Sequence, residues 1–306
     1  MEIYLAHTQG FCAGVARAID IVNRVYEKHN TPLYVFHEIV HNTLVVESFK
    51  KKGIQFVDDL SDVPDGGRVI FSAHGVSPKI IEDAQKKNLI FFDATCPLVH
   101  RVHKCASEFS KDGIDVILIG HKKHQEVIGT KGYVDPSLLH IIQGEDEVEN
   151  LLIDSSKKVG YVTQTTLSLD DTKNLVQRLK ARFPSLIDAK VEDVCYATQN
   201  RQNAVKELCN ACDTIIICGS SNSSNSNRLR ELAEKCGVES YLIDSADEIK
   251  LSMLNNKEKI GISSGASVPE SVVLDVIDKI KSEFPVSEIH ISESPEKQVA
   301  FPIPEI

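Results

Sequence analysis

Tryptophan is absent from the chain and aromatic residues together make up only 6% of it, a composition that fits cores of small aliphatic side chains. No apolar run approaches the roughly 20 residues a membrane helix needs, and the opening stretch MEIYLAHTQG turns polar at once, so no secretory leader is expected. Basic residues are outnumbered: 34 Lys and Arg face 44 Asp and Glu, for a formal net charge of -10. That balance argues against a general affinity for nucleic acid or an acidic membrane, while leaving room for a locally basic pocket. Neither G-x-x-x-x-G-K-[ST] nor G-x-G-x-x-G occurs, which argues against ATP and dinucleotide sites. These absences point to a cytoplasmic protein whose 8 cysteines are thiols or metal ligands before they are disulfides.

What is present is alternation. Nine short apolar runs (EIYLAH, PLYVFHEI, RVIFSAH, LIFFDAT, DVILIGH, KVGYVTQ, TIIICGS, ESYLID and KIGISSG) read as strands. Several are separated by segments of helical period, such as AGVARAIDIVNRVYEKH and PESVVLDVIDKIKSEF. The pattern predicts an α/β fold with mostly parallel sheets covered on both faces.

A repeat runs through it. Cys12, Cys96 and Cys195 each follow a strand or its turn and stand at or near a helix start. A polar cluster follows each cysteine at a nearly constant interval: His41 is 29 positions after Cys12, His124 is 28 after Cys96, and Ser224 is 29 after Cys195. A third station comes later, at His74, Thr165 and Ser267. We therefore expect three pseudo-repeated α/β domains, 1–95, 96–193 and 194–283, with 284–306 as a C-terminal tail laid over the body. Ligands of open α/β sheets lie at the C-terminal ends of the strands. Three such edges turned to a common centre would gather three thiolates among polar groups.

A helix N-terminus favours a thiolate. Three thiolates with a water could hold zinc; they are also one short of the four that normally hold a [4Fe–4S] cluster, which leaves one iron open. Cys209 and Cys212 form a C-x-x-C inside a predicted helix, where packing is the expected role, and Cys105, Cys218 and Cys236 lie in apolar patterns. The stations offer imidazoles, hydroxyls and amides beside helix starts, the donors that phosphate oxygens require. The serine-rich run GSSNSSNSNRLR has the composition of a linker, yet it occupies the second station of the third repeat and is expected to form an anion cradle before the helix RLRELAEKC. Glu126 is the natural acid, with the Thr165 hydroxyl as its partner in proton relay.

Taken together, GFCAGV, EIVHN, SAHGVS, DATCPLV, GHKKHQEVIGT, TQTTLS and SSNSSNSNRL resemble the 4-hydroxy-3-methylbut-2-enyl diphosphate reductase (LytB-type) family, with motifs in order across residues 10–270. The resemblance implies a trefoil of three α/β domains around an oxygen-sensitive [4Fe–4S] cluster. It implies cluster ligation by Cys12, Cys96 and Cys195, a diphosphate pocket of His41, His74, His124, Ser223, Ser224, Asn225 and Ser267, and proton relay through Glu126 and Thr165. The implied reaction removes the allylic hydroxyl in two electrons, giving isopentenyl and dimethylallyl diphosphate, with a ferredoxin- or flavodoxin-type donor. A quinolinate-synthase-like three-cysteine lyase is the nearest alternative, but its carboxylate substrates favour Arg forks. A zinc-thiolate hydrolase and a non-catalytic redox or metal-binding protein are the others.

Overall fold

In the computed structural model, residues 1–29, 32–188, 194–292 and 299–306 are described; 189–193, in the expected second repeat, and 293–298, in the expected tail, lie outside them. The described residues form nine α-helices and thirteen strands. After β1 (Glu2–Leu5) the order of elements is α1 (Ala13–His29), β2 (Leu33–Phe36), α2 (Thr43–Lys51), β3 (Gln55–Val57), β4 (Arg68–Phe71), α3 (Pro78–Lys86) and β5 (Ile90–Asp93). The same order then returns: α4 (Pro97–Lys111), β6 (Asp115–Ile119), α5 (Gln125–Lys131), β7 (Leu139–Ile142), β8 (Val159–Thr163), α6 (Leu169–Arg182) and β9 (Leu186–Ile187). It returns once more as α7 (Tyr196–Cys209), β10 (Thr214–Cys218), α8 (Ser224–Lys235), β11 (Glu239–Ile243), β12 (Lys259–Ser264), α9 (Glu270–Glu283) and β13 (Glu288–Ile291).

Three sheets result, ordered β3-β2-β4-β5, β7-β6-β8-β9 and β11-β10-β12-β1-β13. Every strand pairing described is parallel. In each sheet the chain steps outward to one side and then crosses to the other, so the topological switch falls between the two central strands. Those pairs are β2 and β4, β6 and β8, and β10 and β12. Ligands of open parallel sheets collect beyond such a switch. Sheet membership departs from contiguity in sequence at one place, where β1 inserts between β12 and β13; β13 itself is a strand within the segment expected as a tail. Beyond it, Arg17 Nε donates to Pro302 O (2.9 Å) and Lys28 Nζ to Ile306 O, which seats the last residues beside α1.

By compactness the chain divides into two units, one of Met1–Val15, His41–Val45 and Tyr196–Ala300, the other of Ala16–Val40, Val46–Cys195 and Phe301–Ile306. In the first, β10 shows why a strand can be apolar throughout. Ile216 and Cys218 pack with Val273, Val276 and Ile280 of α9, while Ile215 and Ile217 pack with Val205 and Leu208 of α7 and Leu229 of α8. Helices thus cover both faces. The second unit repeats the arrangement at β6. Ile117 and Ile119 meet Leu175 and Leu179 of α6; Val116 and Leu118 meet Val102 and Ala106 of α4 and Val127 of α5.

Candidate active site

The three cysteines share one local structure. Cys12, Cys96 and Cys195 each stand immediately before the first residue of a helix, α1, α4 and α7 respectively. Their backbone N–H groups donate to Ala266 O (3.0 Å), Ala73 O (3.0 Å) and Thr165 O (3.2 Å). Each acceptor lies two residues beyond the end of a central strand. All three side chains are half-buried. Arg17 Nη1 donates to Thr95 O (3.0 Å), beside Cys96, and the buried Arg201 donates Nη2–H to Gly10 O (2.7 Å), near Cys12. Burial pushes Cys209, Cys212 and Cys218 up to about 12, with a hydrogen bond to Cys236 also raising Cys209, so these three stay protonated. Among the described residues, no group of three His, Cys, Asp or Glu is arranged to hold a metal ion. The three helix-start cysteines stand out by their equivalent places in the chain.

The backbone bonds also refine the third station. Thr165 takes the position of Ala73 and Ala266, which makes Thr166 the counterpart of His74 and Ser267. Spacing in the sequence did not separate the two threonines.

The second stations are helix starts. Asn42 Oδ1 accepts from Val45 N (2.9 Å) at the start of α2, His124 Nδ1 accepts from Glu126 N (3.2 Å) at α5, and Ser223 Oγ accepts from Ser226 N (3.3 Å) at α8. Because Ser223 is the cap, α8 begins at Ser224, four residues before the helix read from sequence. Accepting at Nδ1 assigns the ring hydrogen of neutral His124 to Nε2.

In the first unit, Ser267 Oγ donates to His41 O (2.8 Å). Asn225 is 5% exposed, yet neither atom of its amide has a hydrogen-bond partner. Such orphaned groups are rare in folded proteins. The cradle is drawn tight by two glycines: a Cβ on Gly219 or Gly265 would come within 2.2 or 2.1 Å of Ser226 Oγ. Their bareness lets the first turn of α8 settle against the ends of β10 and β12.

In the second unit, His74 and His124 meet edge to face with ring centroids 5.9 Å apart. Glu126, in the first turn of α5, is 2% exposed. Its Oε1 accepts from Thr165 N (2.7 Å) and its Oε2 from Thr165 Oγ1 (3.1 Å). Burial raises its carboxyl from 4.5 to about 7 against the pull of those two bonds. At neutral pH it can therefore hold a proton and release it. Behind this pair, Gly75 adopts φ +79° where a Cβ would strike His103 at 2.6 Å. His103, 2% exposed and stacked on Tyr133 at 4.3 Å, is kept neutral by burial at about 4.

The family model described as LytB protein matches residues 3–281. A protein of Saccharophagus degradans named 4-hydroxy-3-methylbut-2-enyl diphosphate reductase is 48% identical over 99% of this chain and 98% of its own. One of Burkholderia mallei, named 4-hydroxy-3-methylbut-2-enyl diphosphate reductase 2, is 47% identical over 99% of this chain and 92% of its own. The solved E-1-hydroxy-2-methyl-but-2-enyl-4-diphosphate reductase of Plasmodium falciparum superposes with a TM-score of 0.95 at 40% identity, covering 99% of this chain and 95% of that one. A second solved structure, described as the terminal enzyme of the non-mevalonate pathway, gives a TM-score of 0.64 at 31% identity over 92% of this chain and 99% of its own.

Proposed function

Since this chain belongs to the LytB family, we propose the following reading of its site. The protein is an oxidoreductase of isoprenoid biosynthesis: it reduces 4-hydroxy-3-methylbut-2-enyl diphosphate, removing the allylic hydroxyl to give isopentenyl and dimethylallyl diphosphate. We assign Cys12, Cys96 and Cys195 as three ligands of a [4Fe–4S] cluster. The residues suit that group, because each follows a strand edge and precedes a helix start, while Cys209, Cys212 and Cys218 are held as thiols. When bound, the cluster supplies an open Lewis-acidic iron and passes on electrons from an external ferredoxin- or flavodoxin-type donor.

The chain's own groups do the rest. His41, His74 and His124, with Ser223, Ser224, Asn225 and Ser267, take the diphosphate oxygens. The neutral Asn225 amide and the Nε2–H of His124 are donors that need no counter-charge. Ser267 has a single hydroxyl proton, now given to His41 O. It must turn to donate to a phosphate oxygen, so binding loosens the His41 carbonyl as it fills the cradle. Glu126 protonates the departing oxygen and Thr165 conveys the proton; the allylic fragment then takes a proton at either end. The observation that carries this assignment is the buried, raised Glu126 bonded twice to Thr165. We place the protein in the cytoplasm; no described helix is long and apolar enough to cross a membrane.

The test is iron and sulfide analysis of anaerobically purified protein, with a spectrum before and after the diphosphate substrate is added. Close to four irons and four sulfides with a substrate-dependent spectral change is expected for a [4Fe–4S] protein. Colourless protein carrying zinc would sink the assignment.

A further inference from the structure

Three side chains outside the diphosphate set join the turn bearing His41 to the turn bearing Ser223. Thr43, the first residue of α2, donates its backbone N–H to Ser220 Oγ (3.0 Å) and its hydroxyl to Asp244 Oδ2 (3.1 Å). Ser220 Oγ donates in turn to Asp244 Oδ1. Ser220 is 1% exposed, and its carbonyl accepts from Ser223 N (2.9 Å), which makes it part of the turn that leads into α8. Asp244 follows β11 and anchors its own N–H on Glu248 Oε2 (3.3 Å).

Counting protons fixes the polarity. A carboxylate only accepts, so both hydroxyl protons point at Asp244 and a Ser220 lone pair is left for the Thr43 N–H. The 3.3 Å approach of Thr43 Oγ1 to Ser220 Oγ is then a contact, because the single Thr43 hydroxyl proton is already given to the carboxylate. One charged group thereby orients a hydrogen-bonded chain centred on the buried Ser220, with charge-assisted bonds to both hydroxyls. An asparagine offers one acceptor oxygen where the chain uses two.

We propose that Asp244 is a positioning residue: by holding Thr43 and Ser220 it sets the spacing between His41 and the Ser223–Asn225 cradle, and so the fit of both to a diphosphate. The inference rests on the diphosphate reading above. Asp244 does not itself touch the substrate, since a carboxylate against a diphosphate would repel it.

The experiment uses anaerobic, cluster-loaded enzyme, assayed with the allylic diphosphate and titrated with inorganic pyrophosphate as a competitive inhibitor. Asp244→Ala and Asp244→Asn should raise KM and the pyrophosphate inhibition constant together, each by about tenfold, the scale of one lost oriented hydrogen bond. The value of kcat and the iron content should stay near those of the parent. Thr43→Val should move the same constants in the same direction, Thr43→Ser should restore them, and Thr43→Val with Asp244→Ala should be no worse than Asp244→Ala alone. Unchanged binding constants in both Asp244 variants, a fall in kcat without a rise in KM, or Thr43→Ser matching Thr43→Val would each overturn the proposal. If Asp244→Ala does not fold, Asp244→Asn and Thr43→Val carry the same comparison. His41→Ala and Asn225→Ala separate the two readings. If they weaken pyrophosphate binding and the Asp244 variants do not, the positioning role alone fails. If they too leave it unchanged, the diphosphate reading fails and this inference falls with it.

Discussion

Replacing Glu126 by Gln should trade activity for stability, with a dependence on pH that follows from the geometry. Holding the Glu126 carboxyl at about 7 instead of 4.5 costs the folded protein about 3 kcal/mol once the group is ionised, at ~1.4 kcal/mol for each factor of ten. The sign is set by proton binding. As pH rises from 4.5 to about 7 the unfolded chain gives up this proton while the folded chain keeps it, so stability declines across that window and then levels off. A Gln keeps an oxygen to accept from Thr165 N and loses only the acceptor facing Thr165 Oγ1, a loss of about 1 kcal/mol. The variant should therefore be more stable than the parent by about 2 kcal/mol at pH 8, and equal or slightly less stable below pH 4.5. Denaturant unfolding of both proteins under anaerobic conditions across this range measures the difference directly, with the other titrating groups cancelling between them. A stability difference that does not change with pH would refute the account of Glu126 as a carboxyl raised by burial. Turnover of the same variant should be low at every pH.

In the parent, turnover should fall as pH rises through about 7, where Glu126 loses its proton, and a flat profile there would assign the acid elsewhere. Gly219→Ala should cost about 1–3 kcal/mol of stability and weaken pyrophosphate binding, as overpacking does. Adding Ser226→Ala should rescue Gly265→Ala better than Gly219→Ala: at Gly265 the close atom is Ser226 Oγ, whereas at Gly219 Ser226 Cβ also lies at 2.6 Å. Equal rescue in thermal melts would contradict that geometry. Cys209→Ser with Cys212→Ser should retain the full iron content of the parent, and iron loss in the double variant would overturn the ligand assignment.

The nine strands read from the sequence are all present, and the four it did not reveal are all at sheet edges: β3, β7, β9 and β13. Central strands such as β10 face helices on both sides and are apolar throughout. An edge strand such as EIHI or LHII has a more exposed face, so its hydrophobic run is short and broken. The repeat was legible because each cysteine directly precedes a helix and each station sits at a strand-to-helix turn of five or six residues. Within those turns a shift of one residue was not legible, which is why Thr166 was not distinguished from Thr165. Thr43, Ser220 and Asp244 carry no motif at all. They are ordinary loop residues whose meaning comes from two segments nearly two hundred residues apart lying side by side.

The placement of β1 has a consequence for how the molecule is made. Among the described residues its neighbours in the sheet are β12 and β13, both late in this sequence, and Cys12 fastens its N–H to Ala266. β1 thus stays unpaired until β12 has been made, and until Ala266 follows it the Cys12 N–H lacks the carbonyl that holds it. A nascent chain cut short before Lys259 therefore carries Cys96 and Cys195 with their carbonyl partners, Ala73 and Thr165, and Cys12 without one.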